Sequence, residues 1–300
     1  MLLLRHILVA TDFSPISITA LRHALGIARR YRSTVALLHV IDGSFFGITA
    51  PDAIAADIEC ALRDGQELIA QMESEGVAQG LKLDFTAKVG PAGETVLDAI
   101  DEKQADLLVL GTHGRSGLKK MVLGSVAEKA FREAPCQVLT VGPKAARSTS
   151  SGAEARHFLV PTDLSGASRI ALQYGVALAE ATGGDITLLH VLNAHTGRNI
   201  DSSNVVAEVT SHLDQFMNKH PGAAERVRYQ VEFGAPARLI VEVAEQSHAD
   251  LIVMGLRAWS TEAQPLWRTA YVVVIQAACP VLSMKSPIPA TSNSSGESNN

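Results

Sequence analysis

Short apolar runs alternate with longer segments of helical periodicity in the first half of the chain. The run Ile7–Ala10 is followed by Leu21, Ala24, Leu25 and Ala28, whose spacing of three and four residues places them on one helix face. This pattern predicts a strand followed by a helix. The same alternation recurs along the chain and predicts a succession of strand–helix units.

The predicted strands of the first half are Ile7–Ala10, Thr34–Val40, Leu83–Val89, Leu107–Leu110 and Gln137–Val141. Further helices are predicted at about Asp52–Gly76, at Gly93–Lys103 and at Val126–Arg132. Apolar strands that alternate with helices are typical of a parallel sheet covered on both faces. In such sheets, ligands bind beyond the carboxyl ends of the strands, where the winding direction reverses.

The second half of the chain repeats the first. Three blocks match in the same order: Ile7–Ser14 with Phe158–Ser165, Leu37–Val40 with Leu188–Val191, and Ala105–Gly111 with Ala249–Gly255. The repeat predicts a second set of strands and helices, at Phe158–Val160, Asp185–Val191, Val205–Lys219, Arg226–Phe233, Pro236–His248, Leu251–Met254 and Val281–Met284. We therefore predict two tandem domains, at residues 1–144 and 156–286, with a linker at 145–155 and a disordered Ser- and Asn-rich tail at 287–300.

The composition narrows the class of protein. The chain has 300 residues, 47% of them hydrophobic, and a net charge of −5 without basic clusters, which argues against nucleic-acid binding. No apolar run reaches the roughly 18 residues of a membrane span, and the N-terminal run is interrupted by Arg5 and His6, too early for a signal peptide. Cys60, Cys136 and Cys279 show no metal-binding spacing. These features predict a cytoplasmic protein that binds neither nucleic acid nor membranes.

A glycine-rich segment follows the fourth strand of the first domain. Gly111, Gly114, Gly124 and Ser125 form the pattern G-x2-G-x9-G-S, and the last two stand directly before the predicted helix Val126–Arg132. The amides of a helix's first turn lack partners within the helix and lie at its positive dipole end. An anion such as a phosphate is a natural ligand there. The chain has neither a P-loop nor a GxGxxG dinucleotide motif.

Other residues near the carboxyl ends of the strands complete the candidate site. Asp12 ends the first strand, where its carboxylate suits a base amino group or ribose hydroxyls, and Val40 ends the second, where it suits a purine ring. Arg115, Lys119 and Lys120 add positive charge to the glycine-rich loop. These positions predict a nucleotide site at one edge of the sheet.

Several of these residues also have a structural interpretation. Gly111 and Gly114 fit ordinary turns. Asp12 fits a helix N-cap, and Val40 fits the hydrophobic core. His113 fits a loop histidine as well as a phosphate neighbour. Both interpretations stay open at this point.

Four polar residues outside the glycine-rich segment are predicted to have structural roles. His39 and His190 lie inside strands, which predicts buried, hydrogen-bonded core histidines. Asp106 and Asp250 directly precede strands, which predicts that they cap or end helices.

Together these motifs resemble the universal stress protein (UspA) family. The resemblance rests on Val9–Asp12, Val40, the turn at Gly90 and Pro91, Ala105–Gly111 and the glycine-serine pattern, and it covers nearly all of residues 1–286. It implies two tandem Rossmann-like α/β domains, each a five-stranded parallel sheet in the order 3-2-1-4-5 flanked by helices. It also implies ATP, alone or with Mg²⁺, at the point where the winding reverses, and a cytoplasmic role in stress tolerance.

Carried over position by position, the resemblance implies an adenosine and phosphate site in the first domain. Its residues are Ala10, Thr11, Asp12, Val40, Gly111, His113, Gly114, Arg115, Gly124, Ser125 and Val126. Members of the family commonly dimerise through their last strand. Here that implies a contact between Gln137–Val141 and Val281–Met284 as an intramolecular pseudo-dimer, with a homodimer of chains as a further arrangement.

The second domain departs from the pattern. Asp163 persists at the position of the first domain's aspartate, but no glycine follows Gly255 before the end of the fold. Cys136 and Cys279 lie in matching contexts, and alignment of the two domains on them places Trp267 opposite Gly124, where an indole would fill the space of a phosphate. The stretch Ala270–Ala278 is apolar on more than one side, as in a buried helix. We therefore predict that the second domain has lost nucleotide binding.

Three functions stay open on sequence grounds. The first is a regulator that holds one ATP in the first domain with little or no hydrolysis. The second is an enzyme, either a slow ATPase or a related adenine-nucleotide transferase, and the third is a structural or partner-binding protein that needs no nucleotide. The first is favoured because fast phosphoryl transfer needs a metal and a group that positions the nucleophile. We assign no catalytic and no metal-ligating residue.

Overall fold

The computed structural model describes residues 4–42, 51–113, 123–145, 155–192, 202–217, 225–256 and 264–285. In these residues the first domain alternates strands and helices as predicted. Its elements are β1 (His6–Thr11), α1 (Pro15–Tyr31), β2 (Thr34–Ile41), α2 (Pro51–Ser74), β3 (Leu83–Val89), α3 (Ala92–Lys103), β4 (Leu107–Gly111), α4 (Ser125–Glu133) and β5 (Gln137–Val141).

The second domain repeats this order. Its elements are β6 (His157–Thr162), α5 (Gly166–Thr182), β7 (Asp185–Leu192), α6 (Ser202–Met217), β8 (Val227–Phe233), α7 (Pro236–Gln246), β9 (Leu251–Leu256), α8 (Gln264–Gln276) and β10 (Val281–Lys285). No helix in the part of the chain that the structure describes is both long and apolar enough to cross a membrane.

Each domain contains a doubly wound parallel sheet. In the first, β1 lies between β2 and β4 and pairs with both in parallel. The strand order is β3-β2-β1-β4-β5, and the second domain repeats it as β8-β7-β6-β9-β10. The predicted order 3-2-1-4-5 is therefore confirmed, and the winding reverses between β1 and β4 and between β6 and β9.

The two sheets join into one. β5 and β10 pair antiparallel, with Val138 opposite Ser283 and Thr140 opposite Val281, which makes a single sheet of ten strands. The predicted contact between the last strands is thus present within the chain. Two hydrophobic clusters, one on each face of the sheet, contain residues of both domains. Each domain therefore contributes to a shared core.

The aspartates before the fourth strands have a different role from the one predicted. The Asp106 carboxylate accepts hydrogen bonds from the backbone amides of Arg5 and His6, at 2.7 and 3.0 Å. Asp250 accepts in the same way from Arg156 and His157, both at 2.9 Å. They anchor the start of the central strand of each domain instead of capping a helix.

The thiols of Cys136 and Cys279 are packed in the structure. Cys279 is buried and Cys136 is half-buried. Burial raises the pKa of the Cys136 thiol to about 11 and that of Cys279 to about 12, so both stay protonated at neutral pH. Cys60 is exposed. A protonated thiol is a poor nucleophile, so packing is the role that burial supports for Cys136 and Cys279.

A small apolar cavity of about 50 Å³ lies where the domains meet, between α1 and α5. Matched positions of the two domains line it, but their chemistry differs. The Tyr174 hydroxyl accepts a hydrogen bond from Gln137. Its counterpart in the first domain is His23, and the counterpart of Gln137 is Pro280, which has no side-chain donor. The Nδ1 atom of His23 finds no hydrogen-bond partner among the described residues.

The buried His23 predicts a loss of stability in mild acid. Desolvation lowers its pKa from 6.5 to about 4. The unfolded chain therefore takes up a proton below pH 6.5 that the folded chain accepts only near pH 4, so stability present above pH 6.5 is lost as the pH falls toward 4. We expect this residue to lower the free energy of unfolding by about 2 kcal/mol between pH 7 and pH 5.

Urea unfolding at the two pH values measures this effect. His23→Leu should remove that part of the pH dependence. His212→Leu, the same substitution at an exposed histidine of α6, is the matched control variant. Equal slopes in wild type and His23→Leu would contradict the assignment.

Candidate functional site

The predicted site residues of the first domain meet in one cavity. It has a volume of about 200 Å³ and opens at the carboxyl edge of the sheet, at the reversal between β1 and β4. The predicted residues that line it are Ala10, Thr11, Asp12, Val40, Gly111, His113, Gly124, Ser125 and Val126. The predictions for Gly114 and Arg115, and for Lys119 and Lys120, fall outside the described residues.

The turn from β1 into α1 is shaped by a hydrogen-bond network. The Thr11 hydroxyl accepts from the amide of Phe13 at 3.0 Å, and the Asp12 carboxylate accepts from the amide of Ser14 at 3.1 Å. Ser14 is the N-cap of α1 and accepts from the amide of Ser17. Asp12 is therefore not the helix N-cap, as one interpretation held, but it stabilises the turn that precedes the cap.

The second domain repeats this network at matched positions. Asp163 accepts from the amide of Ser165 at 3.0 Å, and Thr162 accepts from the amide of Leu164 at 3.0 Å. Phe13 and its counterpart Leu164 both have a left-handed backbone, with φ of 61° and 62°. A non-glycine residue in this region is strained. Both domains therefore contain this turn, so the turn alone does not distinguish the domain that has the glycine-rich pattern from the one that lacks it.

The N-terminus of α4 leaves backbone donors for a ligand. The amide of Gly124 donates to the carbonyl of Thr112 at 2.8 Å, and the first bond of the helix runs from Glu128 to Gly124. The amides of Ser125, Val126 and the next residue precede that first bond. The N-cap is Gly124, which has no side chain to accept from them. An anion in the cavity is suited to both these donors and the positive end of the helix.

The histidines near the site are hydrogen-bonded. His113 lines the cavity, and its Nδ1 lies 2.9 Å from the Thr112 hydroxyl. His39 and His190 each donate through Nδ1 to a carbonyl of the neighbouring central strand, Thr11 or Thr162, at 2.8 Å. These two histidines are satisfied, as predicted, but they are half-buried, not fully buried.

Gly111 has a packing role at the end of β4. A Cβ atom there would lie 2.9 Å from Cγ2 of Ile16 and 3.4 Å from the amide nitrogen of Ser17. The glycine therefore lets α1 approach the strand closely. It also lines the cavity, so the structural and functional interpretations of this residue are compatible.

The cavity also contains residues that the sequence did not point to: Ser17, Leu38, Ala92, Val96, Leu110, Thr112 and Ala127. Thr112 matters most among them because it is fully buried and its carbonyl holds Gly124. Its amide donates to Val141 at 3.0 Å, which fixes it to β5. Its position within the glycine-rich pattern could have identified it from the sequence as a site residue. Ala92 and Val96 belong to α3, which begins after the turn at Gly90 and Pro91.

The second domain differs at the corresponding helix. α8 has 13 residues where α4 has nine, and both end at aligned positions. The alignment puts Arg268 opposite Ser125, yet α8 already begins at Gln264. The added turn extends the helix by about 6 Å at 1.5 Å per residue. The amides aligned with those of Ser125 and Val126 therefore fall inside a helix, where backbone carbonyls one turn earlier accept from them.

Because α8 begins earlier than α4, Trp267 and the aligned Gly124 occupy different positions in their helices. The Trp267 backbone lies in the first turn of α8, whereas Gly124 is the N-cap of α4. The placement of its side chain falls outside the described residues. Within those residues, no group of three or more His, Cys, Asp or Glu side chains is arranged to hold a metal ion.

The chain is similar in sequence and in structure to known universal stress proteins. A universal stress protein of Methanocaldococcus jannaschii is 33% identical over 140 residues, which cover 46% of this chain and 82% of that protein. A universal stress protein of Mycolicibacterium smegmatis is 26% identical over 270 residues, which cover 83% of this chain and 86% of that protein. The solved structure of a universal stress protein from Archaeoglobus fulgidus superposes with a TM-score of 0.70 at 24% identity, over 93% of this chain and 96% of that one.

The family model of the universal stress proteins matches the chain twice. The matched residues are 4–142 and 154–285, which correspond to the two repeats of the fold. The double match and the two matching sheets agree with the tandem architecture predicted from the sequence. The chain belongs to the universal stress protein family, as a member with two domains in tandem.

Proposed function

We propose that the first domain binds one molecule of ATP at the carboxyl edge of its sheet and that the second domain binds none. The observation that carries the proposal is the N-terminus of α4, which has no side-chain cap among the described residues and whose first residues, Ser125 and Val126, line a cavity at the reversal point. The corresponding helix of the second domain begins one turn earlier. The protein would therefore carry one nucleotide for each chain.

Asp12 and Val40 support adenosine as the other half of the ligand. Both line the same cavity as the α4 N-terminus. A carboxylate accepts hydrogen bonds from ribose hydroxyls or a base amino group, and an apolar side chain suits the face of a purine. The phosphates would then lie on the amides of Ser125 and Val126, with the hydroxyl of Ser125 as a further donor.

The proposed role is to hold ATP, with little or no hydrolysis, as a cytoplasmic regulator of the stress response. Asp12 and His113 are the only titratable side chains among the described residues that line the cavity, and Asp12 is engaged by the amide of Ser14. Fast phosphoryl transfer also requires a residue that positions the nucleophile. A turnover on the order of 1 per second, which is ordinary for enzymes, would favour an ATPase instead.

Asp12→Ala tests the site. The variant removes a charged hydrogen-bond acceptor from the proposed adenosine pocket, a contact worth about 1.5–3 kcal/mol. We expect the affinity for ATP, measured by isothermal titration calorimetry, to fall by about 10- to 100-fold.

Asp163→Ala is the matched control. It breaks the same turn in the second domain, so both variants should lose a similar amount of stability. Only Asp12→Ala should lose ATP affinity. An equal affinity in wild type and Asp12→Ala would contradict the proposed pocket, and a wild type that binds no ATP would favour a structural or partner-binding role.

A further inference from the structure

The segment that enters the proposed phosphate site is held by a side chain of the other domain. The amide of Leu123 donates a hydrogen bond to the hydroxyl of Tyr271, 3.0 Å away. Leu123 directly precedes Gly124 and is only 3% exposed. Tyr271 lies on α8 of the second domain. This hydrogen bond therefore ties the second domain to the residue that leads into α4.

Two consecutive amides are thus held by residues of different domains. That of Leu123 is held by Tyr271 of the second domain, and that of Gly124 by the carbonyl of Thr112 in the first. The next amides, of Ser125 and Val126, are those proposed to meet the phosphates. Because the two anchors fix the direction in which the chain enters α4, they also fix the direction of these donors.

Within the described residues, no equivalent of the hydrogen bond between Tyr271 and Leu123 links α4 to the second domain. The alignment places Glu128 opposite Tyr271, and the Glu128 carboxylate faces Arg132 on its own helix at 3.9 Å. In the second domain, α8 already includes the residue aligned with Leu123, since it begins at Gln264. The second domain, which lacks the glycine-rich pattern, therefore has both differences: tyrosine in place of glutamate at this position and the longer helix.

We infer that Tyr271 is a positioning residue for the nucleotide site of the first domain and that the second domain acts as the support of that site. The inference rests on the proposed function. Without the hydroxyl, the buried amide of Leu123 loses its acceptor, which a buried donor tolerates poorly, and the entry to α4 shifts. By linkage, nucleotide in the first domain strengthens the contact with α8 to the same extent. Nucleotide occupancy of the first domain therefore changes the strength of its contact with the second domain.

Tyr271→Phe tests this inference because it removes only the hydroxyl. We expect the affinity for ATP to fall by about 5- to 30-fold, in the range of coupling between sites. Tyr174→Phe is the matched control: it also removes a hydroxyl that bonds across the domains, to Gln137, but on the opposite face of the sheet. Its ATP affinity should stay within about twofold of wild type. Two variants with equal losses would overturn the inference, because the effect would then belong to domain pairing in general.

Hydrogen exchange of the Leu123 amide separates this inference from the proposed function. It is measured by NMR on the full chain without nucleotide. Exchange should be at least about tenfold faster in Tyr271→Phe than in wild type and unchanged in Tyr174→Phe. If wild type binds no ATP, the proposed function fails, and with it the positioning role, whatever the exchange shows. If wild type binds ATP and Tyr271→Phe matches it in affinity or in exchange, the inference alone is overturned.

Discussion

Replacing Gly124 with tryptophan is expected to weaken ATP binding by at least about a hundredfold. The substitution places a tryptophan, which the second domain has at the aligned position 267, at the N-cap of α4, beside the amides of Ser125 and Val126. An indole there excludes a phosphate from these donors. The loss of two hydrogen bonds to a charged group, each about 1.5–3 kcal/mol, amounts to a hundredfold or more. Isothermal titration calorimetry with ATP measures the loss, and thermal unfolding checks that the domain stays folded.

Two further variants separate the effect of side-chain volume at this position from the effect of where the helix begins. A Cβ at Gly124 would lie 3.3 Å from the Thr112 carbonyl oxygen, which requires only a small shift. Gly124→Ala should therefore weaken ATP binding by less than about tenfold. Trp267→Gly should create no second site, because the extra turn of α8 remains. A second ATP bound by Trp267→Gly would show that bulk alone, and not the start of the helix, removed the site.

Gly255→Ala is expected to destabilise the protein by about 3 kcal/mol or more. Gly255 lies near the end of β9, and an added Cβ would collide with the carbonyl group of Ala167 and lie 2.6 Å from the amide nitrogen of Ser168. These are backbone atoms of the first turn of α5, so the helix itself must move. Overpacking that displaces backbone is at the severe end of single substitutions. Urea unfolding followed by circular dichroism gives the change in free energy.

Gly111→Ala is the matched substitution in the first domain. There the added Cβ meets a side-chain methyl of Ile16 at 2.9 Å, which can move more easily than a backbone. We expect a loss below about 1.5 kcal/mol. Equal losses at the two glycines would mean that α5 is no more closely packed on its strand than α1.

The architecture could be predicted from the sequence because it depends on local patterns that occur twice. The runs Leu83–Val89 and Gln137–Val141 are strands with the predicted bounds. The matched blocks gave the order of the elements, and the family resemblance gave the order of the strands. The cavity was also predictable, since the carboxyl ends of parallel strands meet at one edge. That is why Asp12, Val40 and Ser125, far apart in sequence, line the same space.

The sequence analysis did not specify where α8 begins. It singled out only the apolar stretch Ala270–Ala278, whereas the helix already begins at Gln264. The polar and charged residues of its first turns, such as Arg268, conceal its periodicity. Pro265 was the available signal, because proline is favoured in the first turn of a helix. The start matters because the extra turn places the amides aligned with those of Ser125 and Val126 inside the helix.

Long-range hydrogen bonds had no local signal at all. Asp106 holds the start of β1 from about a hundred residues away, and its place before a strand suggested a helix cap. Tyr271 bonds to Leu123 in the other domain, and nothing near either residue indicates the pair. The second contact depends on how β5 and β10 join the two sheets, which the local pattern around either residue does not specify.

The number of nucleotides bound per chain shows whether one domain of the pair binds nucleotide, as we propose, or both or neither. The full chain is saturated with ATP, freed of excess by gel filtration and denatured, and the released nucleotide is quantified by liquid chromatography against protein concentration. We expect one adenine nucleotide per chain. Two per chain would contradict the loss of the site in the second domain, and none would contradict the site in the first.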